Sequence, residues 1–104
     1  ALEAGARFIL VLGGSGFGVG NYAPEVVRSI VEVEIPGIAE QIRAHGLANT
    51  PLSGLSREVV GVTARDSSGA LIISSPGSRG GALDTLEVVT PLLPAIFHQL
   101  DEQR

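Results

Sequence analysis

The apolar pattern opens at Phe8-Ile9-Leu10-Val11-Leu12, an unbroken run that passes directly into glycines. A short continuous run of this kind predicts a strand buried on both faces, as in a parallel sheet. Pro24-Glu25 then gives a helix start, with Pro at the first helical position and an acid in the first turn. Val27, Ile30, Val31 and Val33 extend that helix to about Glu34. Ile35-Pro36-Gly37 interrupts it, and a second helix is predicted from Gly37 to His45 on Ile38, Ala39 and Ile42, ended by Gly46. Thr50–Gly54 reads as a loop. The alternation Val60, Val62, Ala64 within Ser56–Arg65, the turn cluster Asp66–Gly69 and the run Ala70–Ser74 together predict a hairpin. A second glycine-bearing loop, Ser74–Gly81, is followed by helices over Ala82–Val89 and from Pro91, the last capped by Thr90 and carrying Leu92, Leu93, Ile96, Phe97 and Leu100.

This order places the chain in the α/β class. Ala1–Ala4 reads as the last turn of a helix stopped by Gly5, and a parallel strand at Phe8 needs neighbours joined by long crossovers. The expectation is a single domain over residues 1–104 that begins in the middle of a fold.

Composition narrows the function. The 104 residues are 44% apolar and 17% charged, too apolar for disorder. A net charge of −4, with no lysine and no basic run, disfavours nucleic acid and anionic membranes. The absence of cysteine removes disulfides, thiolate metal sites and thiol catalysis. No uninterrupted apolar run approaches the length of a membrane span, and no basic leader precedes the first strand. The expected setting is a soluble cytoplasmic protein.

Two glycine loops carry the chemistry. Gly13–Gly20 follows the first strand and Ser75–Gly81 follows the last, and each leads into a helix. Ligands of open α/β sheets collect at the carboxyl ends of strands. Glycine lets backbone amides approach closely, and a helix start adds partial positive charge, so an anion such as phosphate suits both loops. A tight turn holding nothing is the alternative. A Walker A loop is excluded, because Val19 stands where lysine is required. A dinucleotide fingerprint forced onto Gly18-x-Gly20-x-x-Ala23 begins too far beyond Leu12.

The stretch Leu12-Gly13-Gly14-Ser15-Gly16-Phe17-Gly18-Val19-Gly20-Asn21-Tyr22-Ala23-Pro24-Glu25 resembles the Thr-Gly-Gly-Thr-Gly-Phe-Gly-Pro-Arg-Asp-x-Thr-Pro-Glu signature of the MoaB/MogA molybdopterin-binding family. Glu34-Ile35-Pro36-Gly37, Thr50-Pro51-Leu52 with Leu55-Ser56-Arg57, Ser75-Pro76-Gly77-Ser78 and Pro91-Leu92-Leu93-Pro94 resemble further landmarks of that family, in its order. The resemblance implies a three-layer α/β/α domain with a mixed sheet, lacking the first two β-α units. It implies molybdenum cofactor biosynthesis, with molybdopterin as ligand and, in one branch, its ATP- and Mg²⁺-dependent adenylylation. Gly13, Gly14, Ser15 and Gly16 would cradle phosphate, and Ser56, Pro76, Gly77 and Ser78 would line the pterin pocket. A homotrimer is implied. The rival reading is a non-catalytic subunit that completes a hetero-oligomer through the edge of its Phe8–Leu12 strand. The related competence-damage protein domain is a third reading, disfavoured by the Thr50–Arg57 loop.

The departures bear on catalysis. Asn21 stands where the family has Asp, Gly20 where it has Arg, Ala23 where it has a capping Thr, and Leu12 where it has Thr. An amide at position 21 weakens a Mg²⁺ site that relies on carboxylate oxygens, so impaired turnover is expected and no metal ligand is assigned. Glu25 beside the loop is a catalytic candidate, although the helix start also explains it. Arg57 and Arg79 are the available cations, and Arg79 follows the second loop within reach of a phosphate. His45 is read as a helix-end residue facing the dipole. His98 is read as a surface or packing residue, Tyr22 as a packed loop residue, and Glu32, Glu34 and Glu40 as a solvated helix face.

Overall fold

A computed structural model of the chain describes residues 7–102. The helical turn expected at Ala1–Ala4 and its stop at Gly5 lie outside them. The elements, in chain order, are β1 (Phe8–Leu12), α1 (Ala23–Ile30), β2 (Val33–Glu34), α2 (Pro36–Leu47), a 3-10 turn (Pro51–Leu55), β3 (Val60–Val62), β4 (Leu71–Ser75), α3 (Arg79–Val89), a second 3-10 turn (Thr90–Leu92) and α4 (Leu93–Asp101).

The strands form one mixed sheet in the order β1-β4-β3-β2. β1 pairs with β4 in parallel, Phe8 opposite Leu71 through Leu12 opposite Ser75. β4 pairs antiparallel with β3, and β3 antiparallel with β2. The hairpin is therefore present, although only Val60–Val62 of its first arm forms ladder pairs. The register sets Leu12 beside Ser75, so both glycine loops leave the sheet at the same end.

Alternation along the strands sends side chains to opposite faces. On one face Leu10, Val60, Val62, Leu71 and Ile73 meet α2, α3 and α4 through Ile38, Ile42, Val89 and Leu100. On the other, Ile9, Val11, Val59 and Ile72 meet Val27 of α1. The result is three layers, with α1 the one helix on its side among the described residues. Arg7 fastens β1 to α4: its guanidinium lies 4.8 Å from the centre of the Phe97 ring and 3.0 Å from an Asp101 carboxylate oxygen.

Several elements differ from the expectations. The first helix ends at Ile30, and Glu34 belongs to a strand, because Val33 and Glu34 pair with Val62 and Gly61. That pairing depends on Gly61, where an added Cβ would sit 2.7 Å from the Val33 carbonyl oxygen. β1 is only partly buried, since within the described residues β4 is its sole ladder partner. Thr50–Gly54 is not an irregular loop: Thr50 caps a 3-10 turn by accepting from the Leu52 amide. α3 starts at Arg79 rather than Ala82, because the Ser78 hydroxyl accepts from the Gly81 amide. Thr90 does not open a separate helix. It continues α3 through a 3-10 turn into α4, so Arg79–Asp101 is, by length and composition, apolar enough to cross a membrane. Within that stretch Val89 and Leu100 are buried in the core on that face of the sheet, and Val88, Leu92, Leu93, Ile96 and Phe97 pack against it partly buried.

Ile73 is fully buried at the centre of this arrangement. Ile73→Ala is expected to lower stability by about 2–5 kcal/mol in urea denaturation, the usual range for emptying a packed core position.

Candidate functional site

The first glycine loop is held open by backbone geometry. Gly13 and Gly14 have φ of 87° and 69°, a region that side chains with a Cβ rarely enter. Gly13 donates its amide to the Ser75 carbonyl at 2.9 Å, and the Gly14 carbonyl accepts from the Ala23 amide at 3.1 Å. The second loop touches the first: a Cβ added at Gly77 would lie 3.1 Å from the Gly13 Cα.

A third segment, at Arg57, holds the first loop in place. The Arg57 amide donates to the Ser15 carbonyl at 2.8 Å. Its side chain donates through Nε to the Gly16 carbonyl and through Nη2 to the Asn21 carbonyl, both at 2.7 Å. The same guanidinium grips both carboxylate oxygens of Glu25, at 2.9 and 3.1 Å. Arg57 is thus occupied in shaping the loop, and Glu25 in holding Arg57. The guanidinium hydrogen bonds keep the Glu25 carboxyl below its ordinary range, which suits a fixed ion pair rather than a proton carrier.

Between the three segments lies a cavity of about 420 Å³. Of the residues singled out from sequence, Ser15, Gly16, Ser56, Pro76 and Ser78 line it. Gly13, Gly14, Gly77, Asn21, Glu25 and Arg79 are not part of its lining. The Asn21 side chain lies against the loop backbone, its Nδ2 3.0 Å from where a Gly18 Cβ would be. Arg79 is exposed at the start of α3, and Tyr22 is exposed as well.

The cavity wall also holds residues that sequence reasoning passed over. Glu58 is only 4% exposed and accepts from the Thr85 hydroxyl through Oε2 at 2.8 Å. Burial pushes its carboxyl up to about 7, and the negative charge of Asp84 adds to the effect, while the Thr85 hydrogen bond and Arg43 act in the opposite direction. Asp84 is also buried, and it accepts from the Asn49 side chain at 3.1 Å. His45 turns its Nε2 to Glu87, at 2.6 Å, and stands 3.7 Å from Asp84. Its partners are therefore carboxylates on α3 and not the dipole of its own helix alone. A deeply placed acid after the Ser56-Arg57 landmark was the one available signal for Glu58. Nothing in the sequence paired Asp84 with His45.

The family resemblance raises Mg²⁺, so the donors were compared with what that ion requires. Hard cations favour carboxylate oxygens. Around the first glycine loop the chain offers the carboxamide of Asn21 and the carboxylate of Glu25, already gripped by Arg57. This loop does not fit the ion. The one group of three ligand atoms that could hold a metal, among the described residues, is His45, Asp84 and Glu87, all within 4.8 Å of one another.

Comparison with known proteins settles the family. Residues 1–95 match the family described as "Probable molybdopterin binding domain". The chain belongs to this family. Members similar in sequence include the molybdenum cofactor biosynthesis bifunctional protein of Synechococcus elongatus, 32% identical over 90% of this chain and 28% of that protein. The molybdopterin adenylyltransferase of Escherichia coli is 33% identical over 84% of this chain and 43% of its own length. A putative molybdenum cofactor biosynthesis protein from Corynebacterium diphtheriae is similar in structure, with TM-score 0.87 and 44% identity over 97% of this chain and 62% of that one. The chain thus spans less than half of these curated relatives. The names of these relatives place them in molybdenum cofactor biosynthesis.

Two outcomes follow for this molybdopterin-binding domain. Arg57→Lys keeps the charge but loses the planar fork, so it is expected to cost about 2 kcal/mol and to loosen the Gly13–Gly20 loop, read by hydrogen exchange of the Asn21 and Ala23 amides, which donate to the Gly18 and Gly14 carbonyls. The unfolded chain releases the Glu58 proton near its ordinary value of 4.5, whereas the folded chain keeps it up to about 7. Between those values the folded state binds more protons, so stability falls as pH rises through that window, by up to roughly 3 kcal/mol. Glu58→Gln is expected to flatten this slope in denaturation curves from pH 4.5 to 7.5.

Proposed function

We propose that this chain binds molybdopterin in the cavity between its two glycine loops. The phosphate would lie on the backbone of Gly14–Gly16, with Gly13 anchored to the Ser75 carbonyl through its own amide, and the pterin against Ser56, Pro76 and Ser78, with Gly77 fixing the approach of the loops. The observation that carries this reading is convergence: five residues drawn from three separate sequence landmarks line one cavity. Its size suits a small heterocyclic ligand. The relatives named molybdopterin adenylyltransferase supply the reaction class.

This chain's own part in such a reaction is to bind and orient. Gly13 and Gly14 present backbone dipoles without side chains in the way, and Arg57 keeps those dipoles fixed before the ligand arrives. Preorganised dipoles stabilise phosphate charge without reorganising during reaction. ATP enters the proposal only by family membership. With an amide at position 21 and Glu25 paired, adenylyl transfer by this chain is slow while binding persists.

A second reading rests on β1. Phe8–Val11 are only partly buried, Leu12 is exposed, and β4 is the strand's only ladder partner among the described residues, an arrangement that invites another strand. In that reading the chain is an assembly subunit, in a homotrimer or with a related subunit.

Calorimetric titration with molybdopterin is expected to show micromolar binding. With ATP and Mg²⁺ added, little adenylylated pterin accumulates, and Asn21→Asp raises its rate at least about tenfold while altering binding much less. No molybdopterin binding, together with a defined hetero-oligomer by native mass spectrometry, supports the assembly reading instead.

A further inference from the structure

The cavity wall carries two carboxyl groups, Glu58 and Asp84, together with residues of both glycine loops and the first turn of α3, where Gly80 and Gly81 reach the lining. No arginine or lysine is among the lining residues. Arg43, the cation closest in effect to Glu58, spends a guanidinium nitrogen on the Ser56 and Glu58 carbonyl oxygens, at 3.4 Å each. Arg57, the chain neighbour of Glu58, is turned away toward Glu25.

The two carboxyl groups differ in how far they are satisfied. Asp84 accepts from Asn49 and stands near His45. Glu58 is nine-tenths buried, yet only its Oε2 has a hydrogen-bond partner among the described residues, the Thr85 hydroxyl. Its Oε1 has none, although the residue forms part of the cavity wall. An oxygen without a donor on a largely buried carboxyl group forgoes a hydrogen bond, and a ligand that supplies the donor restores it.

We propose that Glu58 is a specificity-determining residue, its free Oε1 accepting from the N–H and amino donors on the edge of a 2-amino-4-oxo heterocycle. The inference rests on the reading of the cavity as a pterin site and adds which edge of the ring points where. The ring's donor edge meets the acidic wall, and the phosphate-bearing end meets the glycine loops. A 2,4-dioxo ring, which replaces the amino donor by a carbonyl, is repelled by the same wall. Burying an unmatched acceptor against Glu58 is what rejects it, and such mismatches discriminate more strongly than lost apolar contact.

The pH behaviour follows from the groups around Glu58. Arg43 faces it from α2, Asp84 and Thr85 face it from α3, and His45 and Glu87 lie beyond Asp84. A donor-bearing ligand binds the ionised carboxylate more tightly than the acid, because a charged acceptor forms the stronger hydrogen bond. Binding therefore tightens as pH rises and Glu58 ionises.

The test compares phosphorylated pterin with its 2,4-dioxo counterpart, lumazine carrying the same side chain, on the wild-type chain, on Glu58→Gln and on Glu58→Met. Wild type is expected to prefer the pterin by at least about tenfold. Glu58→Met, which keeps the volume and removes the acceptor, is expected to lose most of that preference while still binding both phosphates. Between pH 5.5 and 7.5 the wild type is expected to gain severalfold in pterin affinity relative to Glu58→Gln, a ratio that cancels titration of the ligand's own phosphate. Equal binding of the two rings by wild type, or an unchanged preference in Glu58→Met, overturns the assignment of Glu58 and leaves the pterin site standing. Failure of wild type to bind either phosphorylated ring or molybdopterin overturns the reading of the cavity itself. Thermal melts of both variants at pH 5.5 check that each is folded.

Discussion

One guanidinium organises the site. Arg57 leaves the end of the Thr50–Ser56 segment, reaches across to the glycine loop and bonds to Gly16, Asn21 and Glu25 together. A loop rich in glycine has more unfolded freedom to lose than any other kind, so it does not adopt one shape unaided. Hydrogen bonds from a charged donor to two loop carbonyls, anchored by a carboxylate on α1, select that shape. Arginine is suited to this because its donors are planar and fixed, where lysine offers a mobile point charge. In the proposed reading Arg57 would serve a phosphate by fixing the loop backbone, its own charge being engaged by Glu25.

The sheet decides where those amides point. β1 and β4 lie side by side in parallel, so the glycine loops that follow them emerge together, and a third loop enters from the antiparallel side of β4 through β3. Mixed pairing is essential here. An all-parallel arrangement would send the segment before β3 to a distant crossover, whereas the hairpin brings Ser56 and Glu58 to the mouth of the same cavity.

The legible parts were those set by local pattern. Phe8–Leu12 and Leu71–Ser75 show themselves as apolar runs because both sides of the sheet are covered, and the two glycine loops stand out by composition. The order of the landmarks carried the family. What stayed hidden depended on distant partners. Glu34 looked helical until Gly61 and Val62 gave its segment a strand to pair with. The join between α3 and α4 was concealed because Pro91 punctuates a helix equally well as a start or as a 3-10 step. His45 met its carboxylates only through the packing of α2 on α3. Arg57 was visible as a landmark, but its work on the loop backbone belongs to tertiary structure.

Glu58 was the least legible residue, and the reason is physical. In sequence it is one acid beside an arginine, a pair that ordinarily signals a surface contact. The arginine in fact turns to Glu25, and the strand entering at Val59 draws Glu58 inward toward Thr85. A carboxyl group without a cation at a buried position destabilises a fold whenever it is ionised. In the proposed reading a ligand would supply the missing donors, and the same cost would then fall on any ring that brings an acceptor instead. Gly20 and Asn21 leave the first glycine loop without charged side chains, whereas Glu58 and Asp84 keep two carboxyl groups in the cavity wall. On that reading the balance of the cavity would favour gripping the ring over activating the phosphate.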